Sequence, residues 1–114
     1  MNRFLRRCGG TGLVVLSLLL LVAGTPLRAA GDSAALYKSK CAVCHGASGK
    51  GDTPTAKAMG VPDLTSADTQ NKTDAQLTDV TAKGKGKMPG YEKSLSADDI
   101  KGLVAYIRDL GKKK

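Results

Sequence analysis

A chain of 114 residues has room for one small domain. Its 18 basic and 10 acidic residues give a formal net charge of +8, but four arginines lie in the first thirty residues, so the remainder carries only +4. That balance is too weak to indicate a nucleic-acid-binding surface. Beyond residue 30 the aromatic side chains are three tyrosines, and a domain this small usually needs a staple, metal or cofactor to complete its core.

The first thirty residues have the order of an export signal. Three arginines precede an apolar run of 11 residues at 13–23, broken only by one serine, and small residues follow up to Ala30. A membrane-spanning helix needs about 20 apolar residues, so this run is short for one. We predict a signal peptide over 1–30, cleaved near Ala30, with a retained anchor as the alternative. No stable membrane insertion is expected, and cleavage would remove Cys8.

Residues 31–114 are predicted to form one all-α domain of three to four helices with long loops. The segment 32–41 predicts a first helix capped by Asp32 or Ser33. The segment 46–72 is rich in Gly, Thr, Pro and Asp, which favours loop. Loops this long make sense when they wrap a rigid ligand.

Two later segments carry the spacing of a capping box. Thr73 and Gln76 predict a helix that continues to about Lys83, after which glycines and a proline make 84–89 irregular. Ser96 and Asp99 predict the last helix in the same way. Its apolar residues recur at helical spacing, and Gly111 would end it: Ile100, Leu103, Val104, Ile107.

Cys41, Cys44 and His45 form a Cys-x-x-Cys-His motif, the attachment pattern of c-type haem. Two thiols three residues apart can bond both vinyl groups on one edge of the porphyrin, and the adjacent histidine is then held at the iron. Three alternatives use the same residues. A redox-active dithiol lacks a βαβ setting here, a disulfide would close a very small loop, and a zinc site would have three ligands only.

The second axial iron ligand is found by elimination. His45 is the only histidine, which excludes bis-histidine ligation, and Met59 and Met88 are the methionines beyond the signal. Met88 lies in a constrained loop, whereas Met59 follows His45 by only 14 residues and is predicted to pack. Ligation by His45 and Met88 would fill both axial positions, which favours electron transfer over catalysis. A catalytic or gas-sensing haem protein with a vacant site remains the alternative.

These motifs together resemble the class I cytochromes c, especially the small monohaem bacterial type. The resemblance rests on Tyr37 four residues before the first cysteine, on the Cys-x-x-Cys-His motif, on segments 60–64 and 86–91, and on the last helix. It implies an all-α cytochrome c fold around one covalent haem c with its iron.

The resemblance also implies roles for single residues. The carbonyl of Pro62 would accept a hydrogen bond from the second nitrogen of His45, although Val61 separates a glycine and proline that many members have adjacent. Leu64 and Tyr91 would pack against the haem. Tyr37 would meet the last helix at two of its residues: Leu103, Tyr106.

The expected function is that of a periplasmic, monomeric, non-enzymatic carrier that passes single electrons between redox partner proteins. Lys83, Lys85 and Lys87 precede Met88 and would either steer an acidic partner or be solvated without one. The alternative is a cytochrome c subunit of a larger respiratory or oxidoreductase complex.

Overall fold

The computed structural model describes residues 30–113, so the predicted signal up to residue 29 and its cleavage lie outside the described residues. The all-α prediction is confirmed: within that range the one β-pairing is an isolated bridge between Lys85 and Met88. The described part of the chain holds six helices instead of the three to four expected, because three of them are very short. The six are α1 Ala30–Lys40, α2 Ala42–His45, α3 Pro54–Met59, α4 Ala67–Gln70, α5 Asp74–Lys83 and α6 Ala97–Lys112.

Both predicted capping boxes are present. Thr73 Oγ1 accepts from Gln76 N at 3.1 Å while Gln76 Oε1 accepts from Thr73 N at 2.9 Å, so α5 begins where expected. Ser96 and Asp99 make the same reciprocal pair at the start of α6. Each box satisfies two backbone N–H groups that a helix start would otherwise leave open.

Two predicted helix ends were wrong, whereas the segment predicted to be mostly loop is mostly loop but also holds two short helices. Helix α1 begins at Ala30, so Asp32 and Ser33 lie inside it and do not cap it. Residues 46–72 contain α3 and α4, each started by a hydroxyl that accepts from the N–H three residues on: Thr53 for α3, Ser66 for α4. Single hydroxyl caps on one-turn helices give no apolar periodicity, so the composition of the segment masked them.

Gly111 does not end α6, which continues to Lys112. The glycine instead lets the half-buried side chain of Gln70 lie against the helix, where a Cβ would overlap the Gln70 amide. That amide donates from Nε2 to the carbonyls of Leu64, at 2.7 Å, and Ile107, at 3.1 Å. Gln70 therefore fastens the 60–66 loop to α6.

The core lies where α1 meets α6, with α5 packed on the same side. The Tyr37 and Tyr106 rings lie 5.0 Å apart in a tilted pair, and Tyr37 and Leu103 are both about 1% exposed. This confirms the predicted contact between the first and last helices. The buried apolar cluster is completed by five further side chains: Leu64, Leu77, Val104, Ile107, Leu110.

None of the helices within residues 30–113 is both long and apolar enough to cross a membrane.

Candidate functional site

The Cys-x-x-Cys-His motif forms a single helical turn directly after α1. Cys41 is the N-cap residue of α2, and its carbonyl accepts from His45 N at 2.9 Å. The Tyr37 hydroxyl donates to the carbonyl of Gly46 at 2.8 Å in the buried core. The motif is thus anchored at both ends, by helix α1 before it and by a core tyrosine after it.

His45 is buried, with 8% of its surface exposed. Burial lowers the pKa of the imidazole, and the neighbouring Pro62 backbone opposes this by raising it to a smaller extent. His45 Nδ1 is buried and has no hydrogen-bond partner, so its contact with the Pro62 backbone is not a full hydrogen bond. A neutral, enclosed imidazole beside a carbonyl is the state that a metal-ligating histidine requires.

Cys41 and Cys44 are free, half-buried thiols. Burial, with a smaller contribution from Cys44, raises the pKa of the Cys41 thiol to about 11. Reactive dithiols have lowered pKa values, so the shift runs against the dithiol alternative. Among residues 30–113, no group of three or more His, Cys, Asp or Glu side chains is arranged to hold a metal ion.

A cavity of about 490 Å³, called here the outer cavity, is lined both by the motif and by residues 85–89. Residues 84–90 are called the Met88 loop. The cavity is lined mainly by apolar surface and reached by Cys41, Cys44, His45 and Met88. Its volume falls within the ~300–1,000 Å³ typical of ligand pockets. Two thiols, the one histidine and a thioether therefore face one space, although they come from distant parts of the chain.

A second cavity of about 140 Å³, called here the inner cavity, continues from the first into the core. His45, Pro62 and Met88 line both cavities. The walls of the inner cavity are largely leucine, isoleucine, valine and threonine side chains. The two cavities together form a slot that enters the domain between α2 and α5.

The Met88 loop is held by backbone contacts. Lys85 and Met88 exchange N–H···O bonds of 3.1 and 3.0 Å across a tight turn. Gly84 has φ +79, and a Cβ built on it would lie 2.5 Å from the Met88 carbonyl oxygen and 2.7 Å from Gly90 N. Only glycine fits at this position. The backbone at Gly84 can therefore lie directly against the backbone of Met88 and Gly90.

The other residues expected at the site lie around the same slot. Pro62 lines both cavities, Leu64 is buried and lines the inner one, and Tyr91 lines the outer one. The Tyr91 hydroxyl donates to the Lys40 carbonyl at 3.1 Å, which ties the Met88 loop to the residue before Cys41. Burial is the main cause that raises the pKa of Tyr91, with smaller contributions from the two cysteines.

Some lining residues were missed or misplaced by sequence reasoning. Met59, predicted to pack, also lines the outer cavity, because α3 returns it to the motif. Lys40, Lys85 and Lys87 line that cavity, whereas Lys83 makes an exposed ion pair with Asp79 at 2.7 Å. None of the described residues lining either cavity is acidic.

The chain matches one family of known proteins and several individual relatives. Residues 28–107 match the family described as cytochrome C oxidase, cbb3-type, subunit III. Cytochrome c6 of Rippkaea orientalis is 38% identical over 86 residues, covering 73% of this chain and 75% of the relative. Cytochrome c6 of Microcystis aeruginosa is 36% identical over 76 residues, covering 67% of this chain and 90% of the relative.

The chain belongs to the class I cytochromes c. A longer relative, the cbb3-type cytochrome c oxidase subunit CcoP of Cereibacter sphaeroides, is 31% identical over 92% of this cytochrome but only 39% of the subunit. The solved KustC0563 c-type cytochrome superimposes with a TM-score of 0.64 over 68% of this chain and 95% of its own, at 24% identity, a likeness that shows the fold.

Family membership makes this an electron-transport protein with a covalently bound c-type haem. The residues present fit that group. The slot is apolar and large, both thiols are free, and the buried His45 imidazole lies beside the Pro62 backbone, which could accept from Nδ1 when the other ring nitrogen binds iron.

Proposed function

We propose that this cytochrome is a diffusible single-electron carrier of the periplasm that uses one covalently attached haem. The observation that carries the proposal is the convergence of Cys41, Cys44, His45 and Met88 on one apolar slot. A c-type haem bound there supplies an iron that alternates between Fe(III) and Fe(II). Export rests on the predicted signal over 1–30.

Cys41 and Cys44 anchor the cofactor through thioether bonds to its two vinyl groups. They stand at the two ends of one helical turn, which α1 and the Tyr37–Gly46 hydrogen bond hold in place. This fixed turn presents His45 to the iron without further ordering, so little conformational entropy is lost on ligation. With the haem bound, the Pro62 carbonyl would orient the imidazole by accepting from Nδ1, which has no partner without it.

Met88 would supply its sulfur to the iron, from the loop that Gly84 and Gly90 hold against α5. A thioether favours ferrous iron and so raises the reduction potential. If His45 and Met88 both bind the iron, no position is left for a substrate, and this supports a carrier over an enzyme. Leu64 and Tyr91 pack against the cofactor and keep water from it.

The ligand assignment is tested with Met88→Ala and its matched control Met59→Ala. Both methionines line the outer cavity, but only Met88 is proposed to bind iron. Met88→Ala should keep its covalent haem, lose the long-wavelength absorption band of sulfur-bound ferric haem, and bind carbon monoxide rapidly when reduced. Met59→Ala should retain the band. A band that survives Met88→Ala and disappears in Met59→Ala would reverse the assignment.

The slot is surrounded by positive charge, because lysines line it and none of the described lining residues is acidic. Lys40, Lys85 and Lys87 line the outer cavity, and this favours a redox partner with an acidic docking surface. Electrostatic steering of this kind speeds encounter more than it tightens binding.

The second candidate function is that of a cytochrome c subunit in a larger respiratory complex. It is favoured by the match to the cbb3-type subunit III family and to part of CcoP. Purification from the native periplasm separates the two. A carrier should elute as a free monomer whose mass equals the chain from near Ala30 plus one haem, whereas a subunit should co-purify with membrane-bound partners.

A further inference from the structure

Lys72 stands out among the residues of the inner cavity. It lies in the turn between α4 and α5 and lines the inner cavity but not the outer one. The titratable groups that line this cavity, from all elements around it, are Tyr37, Cys41, His45, Lys72 and Lys85. Of the two lysines, Lys85 belongs to the Met88 loop, whereas Lys72 is an exposed residue that lines the cavity from the turn between α4 and α5.

The neutral donors of the inner cavity are already engaged. Thr69 Oγ1 donates to the Asp63 carbonyl at 3.1 Å, and Thr81 Oγ1 donates to the Leu77 carbonyl at 2.8 Å. An anion placed at this end of the slot would therefore find its counter-charge in a lysine and not in a hydroxyl hydrogen.

The backbone of Lys72 is held in place by hydrogen bonds to Thr69 and Arg108. Its N–H donates to the Thr69 carbonyl at 3.1 Å, and its own carbonyl accepts from Arg108 Nη2. Arg108 also donates to the Gln70 carbonyl at 2.6 Å and pairs with the carboxylate of Asp74 at 2.9 Å. Asp74 is thus engaged by Arg108, and the Lys72 ammonium forms no ion pair with any residue of 30–113.

We infer that the Lys72 ammonium is the counter-charge for one of the two haem carboxylates. Haem bears its carboxylates on the edge opposite the vinyl groups, so a porphyrin tethered at Cys41 and Cys44 directs them away from the motif. Lys40 directly precedes Cys41 and belongs to the tethered edge. An ionised carboxylate beside an apolar slot needs a cation to offset its desolvation. This inference rests on the proposed function.

The test is the pH dependence of the reduction potential of the holoprotein. Deprotonation of a haem carboxylate lowers the potential, and a nearby ammonium holds that deprotonation at low pH. In Lys72→Gln the fall in potential should begin about one pH unit higher than in wild type, since an opposite charge within reach shifts a carboxyl pKa by roughly 1–3 units. Lys72→Arg should keep the wild-type profile.

Lys101→Gln is the charge-matched control, because Lys101 is exposed on α6 and lines neither cavity. It should leave the profile unchanged. The inference would be overturned if Lys72→Gln and Lys101→Gln gave identical profiles, or if Lys72→Arg shifted as far as Lys72→Gln. In either case an intact sulfur band would leave the proposed function standing. A wild-type protein without covalent haem would overturn both.

Discussion

At the scale of single residues, Gly84 controls the loop that presents Met88. Its φ of +79 and the 2.5 Å approach of a built Cβ to the Met88 carbonyl oxygen are two separate penalties. Gly86 has a similar φ of +58, but a Cβ there would meet nothing within 4 Å. Comparing substitutions at Gly84 and Gly86 therefore separates the cost of the positive φ from the cost of steric overlap.

We expect Gly84→Ala to destabilise the holoprotein more than Gly86→Ala. The positive φ costs an alanine about 1–2 kcal/mol at either position. Overlap with the Met88 and Gly90 backbone adds roughly 1–3 kcal/mol at Gly84 alone. Denaturant unfolding measures the difference, and the sulfur band reports whether the loop still delivers Met88. Equal losses of stability in the two variants would contradict the close packing of this loop.

Counting histidines and methionines in the sequence leaves Met59 and Met88 as candidates for the second ligand, and both line the outer cavity. Sequence reasoning missed Met59 at the cavity, because the return of that residue depends on α3, a one-turn helix started by Thr53. Lys83 was grouped with Lys85 and Lys87 by proximity, but it sits on the last turn of α5, where Asp79 four residues earlier is its neighbour.

At the scale of elements, the contact between α1 and α6 depends on a glycine facing a serine. A Cβ built on Gly102 would overlap Ser33 Oγ but would lie 3.6 Å from Ser33 Cβ, an ordinary contact distance. Ser33 is buried, so its hydroxyl cannot swing into solvent without disturbing the core. The two helices therefore approach as closely as they do because residue 102 has no side chain.

A double-mutant cycle tests this contact. Gly102→Ala alone should destabilise the protein, since overpacking costs about 1–3 kcal/mol and outweighs the ~1 kcal/mol gain in helix propensity. In a Ser33→Ala background the overlap is gone, and the same substitution should become stabilising by up to about 1 kcal/mol. Thermal or denaturant unfolding of the four proteins gives the coupling. Additive effects would show that the two residues do not meet.

Elements with reciprocal caps or long apolar periodicity were predictable from sequence. The starts of helices α5 and α6 are predicted by the capping-box pairs Thr73–Gln76 and Ser96–Asp99. Gly111 misled because a glycine near a helix end signals either a stop or a close approach, and only the packed Gln70 side chain decides which.

At the scale of the whole molecule, a bound cofactor would explain both the shortage of large side chains and the presence of the slot. Tyr37 and Leu103 are the largest side chains that are almost wholly buried in the described domain, and the core they form stops at the walls of the inner cavity. The α1–α6 contact builds one half of the fold, and the proposed cofactor would complete the other. Composition alone could suggest the need for a cofactor, but the shape of the slot requires the folded chain.

The last prediction follows from the size of that slot. Leaving about 490 Å³ empty would cost about 12 kcal/mol at ~24 cal/mol per Å³, an upper limit because water enters the open mouth. A domain of this size has a total stability of only about 5–15 kcal/mol. A Cys41→Ser/Cys44→Ser chain produced without haem should therefore lose most of its helical circular-dichroism signal and its cooperative unfolding transition, while the haem-bound wild type keeps both. A haem-free variant with a sharp transition near that of wild type would show that the protein walls alone sustain the slot.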